Sequence, residues 1–191
     1  EIGTQWAFMK SRLNVDLTWY KSNVINQYFR NVTLAAGSSI VNTTNADVNM
    51  GNVQNTGIEA SVSYRVVDKK DVKWTTTFNF ARNRNKIVSL FDPAIVKNAS
   101  DASRYQIDGS GGYTQLKKGG SFTDLYGRTV KTDAQGRMVV DDVTHLPVFV
   151  DSLIGNASPK FLLGWNNSIT VKNFTINFLI DGKFGGKVLS I

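Results

Sequence analysis

Residues 58–66 read Ile-Glu-Ala-Ser-Val-Ser-Tyr-Arg-Val. Ile58, Ala60, Val62, Tyr64 and Val66 alternate with Glu59, Ser61, Ser63 and Arg65. That is the period of an extended strand with one apolar and one polar face. The polar stretch Asp68-Lys69-Lys70-Asp71 follows, and then Trp74, Thr76, Phe78 and Phe80 alternate with Thr75, Thr77 and Asn79. Two alternating runs about a tight polar turn predict a β-hairpin.

The same reading extends outward in both directions. Leu13, Val15, Leu17 and Trp19 share one face against Asn14, Asp16 and Thr18. The turn Lys10-Ser11-Arg12 joins them to an earlier strand over 2–9. Near the other end, Phe161, Leu163, Trp165 and Ile169 oppose Gly164, Asn166 and Ser168, with Asn167 interrupting the apolar face. A turn at Val171, Lys172 and Asn173 leads to Phe174, Ile176, Phe178 and Ile180, facing Thr175, Asn177 and Asp181, with Leu179 breaking the polar face. The predicted strands are therefore 2–9, 13–27, 56–66, 72–88, 160–170 and 173–184.

Long connections over about 29–56 and 90–160 separate the three hairpins, and both are rich in Gly, Asn, Ser, Thr and Asp. The longer one is predicted to hold a hairpin of its own, with Asp133-Ala134-Gln135-Gly136 turning between 125–130 and 137–140. Short turns and long loops alternate strictly. In an outer-membrane barrel the short turns all lie on the periplasmic side and the long loops outside. Each of the six strands has room for the roughly 9–11 residues that cross a bilayer with tilt. A soluble antiparallel sandwich also alternates. Trp6, Trp19, Tyr64, Trp74 and Trp165 are expected near strand ends, where aromatic girdles form, although a soluble core would bury such residues equally well.

Composition removes several function classes. There is no cysteine, so no disulfide framework or thiolate metal site exists, and His145 is the only histidine in 191 residues. No apolar run reaches the length of a membrane helix. The formal charge of +7 suggests an anionic partner at first sight. The cations, however, fall at turns (Lys10, Arg12, Lys69, Lys70, Lys172) or are scattered over polar faces and loops, and nucleic-acid binding is not expected. His145 stands beside Pro147 in a loop and no nucleophile elbow is present, so no enzyme activity and no cofactor are expected. The strand pattern starts close to Glu1 and runs close to Ile191, so the chain is expected to be a segment of a longer repeat.

The stretch Gly51-Asn52-Val53-Gln54-Asn55-Thr56-Gly57-Ile58-Glu59 resembles a signature of the starch-utilisation (SusC) and RagA-like family of TonB-linked outer-membrane proteins. The likeness continues through Trp74, Asn79, Asn83, Asn85, Lys86 and Ile87. A second stretch covers Asp151, Ile154, Gly155, Pro159, Lys160, Phe161, Gly164, Asn166, Asn167 and Phe174, and ends in Asp181-Gly182-Lys183-Phe184-Gly185-Gly186. Trp19-Tyr20-Lys21 fits as well. The resemblance implies an all-β chain: an antiparallel β-meander that is a fragment of a large transmembrane barrel of about 22 strands. Residues 1–191 would be a partial barrel domain with long extracellular loops and no plug domain. It further implies import of oligosaccharides or peptide-like nutrients, a SusD-like surface lipoprotein as cap, and energy from TonB through an N-terminal box that has no counterpart here. A soluble carbohydrate-binding β-sandwich is the alternative.

Five residues are singled out. Glu59 is a charge within a strand and falls on the polar face, hence toward a lumen, where it would line a solute path or be satisfied by Arg65 or a neighbouring strand. Tyr105, Tyr113, Phe122 and Tyr126 in the long connection would stack on sugar rings or pack the loop on itself. The region from Ala94 to Ser121 is the least typical of the family, so no ligand contact carries over to it. Gly51, Asn52, Asn55 and Gly57 are read as residues that accept positive φ. Asp133 and Gly136 lack the oxygen ladder of a calcium loop.

Overall fold

The computed structural model describes residues 1–33, 45–90, 104–106 and 112–188. Ten strands are present among them: β1 Ile2–Phe8, β2 Leu13–Thr33, β3 Asn45–Asp68, β4 Val72–Ser89, β5 Arg104–Gln106, β6 Gly112–Gln115, β7 Asp124–Val130, β8 Phe149–Asn156, β9 Phe161–Val171 and β10 Phe174–Phe184. They form a six-stranded sheet, β1-β2-β3-β4-β9-β10, and a four-stranded sheet, β5-β6-β7-β8. The pairs β1–β2, β4–β9, β9–β10, β5–β6, β6–β7 and β7–β8 are antiparallel, as the alternation predicted. The chain divides into two compact units, one of Glu1–Val24, Gln54–Asn85 and Ser158–Gly186, the other of Ile25–Val53, Lys86–Ala157 and Lys187–Ile191.

In the first unit all three predicted hairpins form. Met9, Lys10 and Ser11 turn the first with φ of 56°, 56° and 62°. Such left-handed conformations cost about 1 kcal/mol or more each for residues with a Cβ. The cost is offset locally: the Arg12 amide donates to Met9 O (3.3 Å) and Asn14 Nδ2 to Ser11 O (3.2 Å). The Arg12 guanidinium donates to Arg65 O and Val66 O at 3.2 and 3.1 Å, tying the first turn to the end of β3. At the third turn Lys172 takes φ 53°, and its amide donates to Asp71 O of the second turn (2.8 Å).

The register lines up one apolar face. Trp6 opposes Val15, and Phe8 opposes Leu13. Phe78 opposes Trp165, which opposes Ile180. Along β10 the outward residues Phe174, Ile176, Phe178, Ile180 and Phe184 range from 40% to 79% exposed. All the buried hydrophobic side chains among the described residues, Val53, Ile87, Leu90, Leu116 and Leu125, belong to the second unit. A sandwich would have buried this face against a second sheet.

Aromatic rings hold the face together. Phe78 stacks on Trp165 and Phe178 meets Trp165 edge-on, both at 5.8 Å, while Phe161 stacks on Phe184 at 4.8 Å. Such pairs are worth about 0.5–1.5 kcal/mol each beyond area burial. The two polar interruptions satisfy indole N–H groups: Trp74 donates to Asn167 Oδ1 (3.1 Å) and Trp165 to Thr76 Oγ1 (2.8 Å). Asn167 is 1% exposed. Trp6, Tyr64 and Trp74 lie near the ends of β1, β3 and β4, as expected, whereas Trp19 and Trp165 lie inside β2 and β9. Trp165 is there because its ring bridges Phe78 and Phe178.

Two local readings change. Strand enters the connection expected over 29–56 from both sides, since β2 reaches Thr33 and β3 begins at Asn45. In the second unit β7 pairs with β8 and not with 137–140. The Asp133–Gly136 turn does form, with bridges Thr132↔Met138 and Val140↔Pro147, but these are isolated because β8 supplies a longer partner for β7. Asp133 binds the Gln135 and Arg137 amides and Arg137 Nε, which uses its carboxylate in the turn. Backbone donation from Arg137 is the main cause that holds the Asp133 carboxyl below its ordinary range.

The glycines at 51 and 57 act differently. Gly51 takes φ 87°, and a Cβ there would lie 2.8 Å from Leu90 O. Gly57 has no positive φ; it is glycine because the Tyr20 ring lies directly over it, where a Cβ would overlap. Gly57→Ala should therefore destabilise the sheet by about 1–3 kcal/mol, the usual cost of overpacking. The same change in a Tyr20→Ala background should cost much less. A double-mutant cycle by denaturant unfolding measures this, and equal costs in both backgrounds would refute the Tyr20 explanation.

Candidate functional site

The face opposite the aromatic one carries the polar residues, again in register. Gln5 opposes Asp16, and Gly3 opposes Thr18. Asn79 opposes Gly164, which opposes Asp181; Thr77 opposes Asn166, which opposes Leu179. An open groove of about 540 Å³ lies on this face, lined among others by Asp16, Thr18, Glu59, Ser61, Asn79 and Asp181. Its volume is in the range of small-molecule sites, about 300–1,000 Å³.

Glu59 is exposed and lines this groove. Arg65, its proposed partner, pairs instead with Asp68 (2.8 Å). Asp16 accepts a hydrogen bond from Gln5 Nε2 at 2.6 Å. Gly164 leaves room for the Asp181 side chain to lie across its strand: a Cβ there would sit 2.9 Å from Asp181 Oδ1. The groove thus offers carboxylates, amides and hydroxyls to a polar solute. Sequence reasoning picked out Glu59 but not Asp16, Asn79 or Asp181 as its companions. Their polar-face positions were legible, whereas the pairing of β4 with β9 across the long connection was not.

In the second unit, Phe122 and Tyr126 are half-buried, Phe122 in the turn before β7 and Tyr126 within it. The backbone register sets Tyr113 opposite Tyr126, and Tyr105 opposite Thr114, whose partner is Leu125. Tyr113 and Tyr126 therefore share a position and Tyr105 falls in the next one. The side chains of Tyr105 and Tyr113 lie outside the described residues. The turn before β7 is fixed by Asp124, which accepts from the Ser121 amide (2.7 Å) and from Asn156 Nδ2 (2.8 Å). Asn156 Oδ1 in turn accepts from Thr123 Oγ1 (2.9 Å). This gives the aromatic segment a rigid base.

His145 sits in a turn with φ 55°, its amide donating to Asp141 O (2.9 Å). Among the described residues no group of three or more His, Asp or Glu side chains is placed to hold a metal ion.

No family model matches the chain. Its sequence is similar to TonB-dependent receptor P3 of Formosa agariphila, 29% identical over 168 residues, covering 74% of this chain and 16% of the relative. TonB-dependent receptor P39 of the same organism is 28% identical over 127 residues, covering 65% of this chain and 10% of the relative. Both relatives are named as receptors and not as enzymes. The fold is similar to a chain of the RagAB peptide transporter, with a TM-score of 0.62 at 15% identity over 94% of this chain and 20% of that one. The RagAB importer in its open-open state gives 0.60 at 17% identity. The resemblance to TonB-linked receptors and the all-β antiparallel fold, both read from the sequence, are borne out. The chain spans less than a fifth of the length of the curated relatives it matches.

Burial, and second the Asp124 carboxylate, hold the Tyr126 phenol above its ordinary pKa. A raised folded-state pKa contributes stability that is fully present below the unfolded value, near 10, and is lost as pH rises through the folded one. Titration of labelled tyrosine by NMR should find Tyr126 ionising after an unfolded tyrosine. Asp124→Asn should return only the smaller part of the shift. Complete return would make Asp124, and not burial, the main cause.

Proposed function

We propose that this chain forms part of the wall of a TonB-dependent outer-membrane transporter, which imports oligosaccharides or peptide-like nutrients together with a SusD-like surface lipoprotein. The observation that carries this reading is the two-faced single sheet of the first unit, with an uncovered aromatic face on one side and a polar groove on the other. Water penalises the first face and lipid the second. A barrel wall in a bilayer suits both. The 11 residues of β10, at about 3.4 Å rise and a tilt of about 40°, give an apolar band roughly 26 Å tall, close to the roughly 25 Å of outer-membrane barrels.

On this reading residues 1–191 are a partial barrel domain, and Glu59 with its neighbours faces the lumen. The connection over 90–160 carries the solute contacts of Tyr105, Tyr113, Phe122 and Tyr126. TonB acts through a part of the complete protein outside this chain. Both curated relatives carry the TonB-dependent receptor name, and the structural neighbours are named as a peptide transporter, which keeps peptides beside glycans as the solute class. A soluble carbohydrate-binding sandwich is less well supported, because the apolar face is not covered.

Two measurements test this. The complete protein in vesicles should take up a labelled oligosaccharide or oligopeptide under TonB control, and a plug-deleted form should leak without it. Sugar binding with no membrane association would favour the sandwich. Phe178→Lys, mid-band on the apolar face, should cost about 2–4 kcal/mol of assembly in a bilayer. Asn177→Lys, one residue away on the polar face, should assemble nearly as wild type. Equal effects would mean that the faces are wrongly assigned.

A further inference from the structure

The outward face of the first unit changes character along β4. Trp74, Thr76, Phe78 and Phe80 are followed on the same alternation by Arg82 and Arg84, both exposed. On β2 the apolar run Leu13, Val15, Leu17, Trp19 is followed by Lys21, also exposed. Cross-strand bonds place these cations at one level. The Arg65 amide donates to Arg12 O and Gln54 Nε2 to Asn23 Oδ1, which sets β3 against β2. Thr77 Oγ1 donates to Ser63 Oγ and Asn85 Nδ2 to Asn55 Oδ1, which sets β4 against β3. Each pair of bonds gives one unshifted register, and it puts Lys21 and Arg84 on either side of Thr56. Their Cα atoms are then about 10 Å apart, two strand spacings, with Arg82 about 7 Å further along β4.

We propose that Lys21, Arg82 and Arg84 bind the phosphate of a lipid headgroup at the rim of the apolar band. This rests on the transporter reading, since it requires that face to lie in a bilayer. The hairpin turns mark the opposite end of the strands, so the rim belongs to the outer leaflet. Three observations favour a fixed anion over water alone. These cations stand on a face whose alternating positions in the first unit hold no carboxylate short of Asp68, at the far turn and paired with Arg65. Among the described residues no hydrogen bond or ion pair reaches the side chain of any of the three. Two of the three are arginines, whose fork matches phosphate oxygens bidentately. Their aliphatic stems can run along the apolar surface next to Trp19 and Ile58 while the charged ends reach the headgroup level.

The test uses the complete protein in phosphatidylcholine vesicles doped with a phosphorylated glycolipid or with the same lipid dephosphorylated. Lipid retained on the purified protein is read by native mass spectrometry. The phosphorylated form should be retained roughly tenfold better, a factor equivalent to about 1.4 kcal/mol. The K21Q/R82Q/R84Q variant should lose that preference. K69Q/K70Q, at the turn end, should keep it. Should the triple variant not integrate, Arg84→Gln alone should lose part of the preference. Retention unchanged in the variants, equal loss in K69Q/K70Q, or binding of inorganic phosphate with no preference among lipids would each overturn the proposal. Failure of the wild-type protein to resist a carbonate wash would sink the transporter reading instead, whereas integration without phosphate preference would sink this inference alone.

Discussion

A single-layer sheet has no interior, so each of its faces must be matched to a medium. In the first unit that requirement is met by strict alternation carried through six strands in register. A slip of one residue in any strand would turn its aromatic set into the polar groove and its hydroxyls and amides onto the apolar face. The fold of this unit therefore depends on register more than on packing, and its stabilising contacts are those that hold register.

Those contacts are concentrated where neighbouring strands offer no continuous hydrophobic core. Arg12 bridges the first turn to two carbonyls of β3, and Lys172 ties the third turn to the second. Within the apolar face, the Trp74–Asn167 and Trp165–Thr76 bonds join β4 to β9 at positions two residues apart. An indole N–H facing hydrocarbon without an acceptor would cost several kcal/mol. The polar interruptions of the face are thus what make its tryptophans tolerable, and they also pin the β4–β9 pairing. This pairing joins segments about ninety residues apart in sequence, so it is the one least served by local turns.

The legibility of the structure in the sequence follows this division. Strands and tight hairpins were readable because alternation and turn residues are local signals. The β4–β9 pairing and the preference of β7 for β8 over 137–140 were not, because they are decided by competition between distant partners. The site behaves likewise. Glu59 could be assigned a face from its own strand, but the companions Asp16, Asn79 and Asp181 appear only once the strand order is known. Gly57 illustrates a different limit: the glycine was read as a backbone requirement, while its cause is a Tyr20 ring from the neighbouring strand. Asn167, read as an interruption, became intelligible only with the Trp74 indole reaching it diagonally from β4.

Two features of the first unit are liabilities in water. Among the described residues its edge strands β1 and β10 have no strand on their outer side, and β10 is exposed along almost its whole length. Natural edges are usually short, charged or covered. β10 is long and aromatic, and its only acidic or basic residues, Asp181 and Lys183, both lie on the groove face. An edge of this kind invites another strand. Its apolar face invites lipid or a second apolar surface. Extending the sheet until it closes removes the first liability, and placing the closed sheet in a bilayer removes the second. Either remedy alone leaves the other problem in place, which is why the edges and the uncovered face together argue for a barrel wall more strongly than either feature does separately.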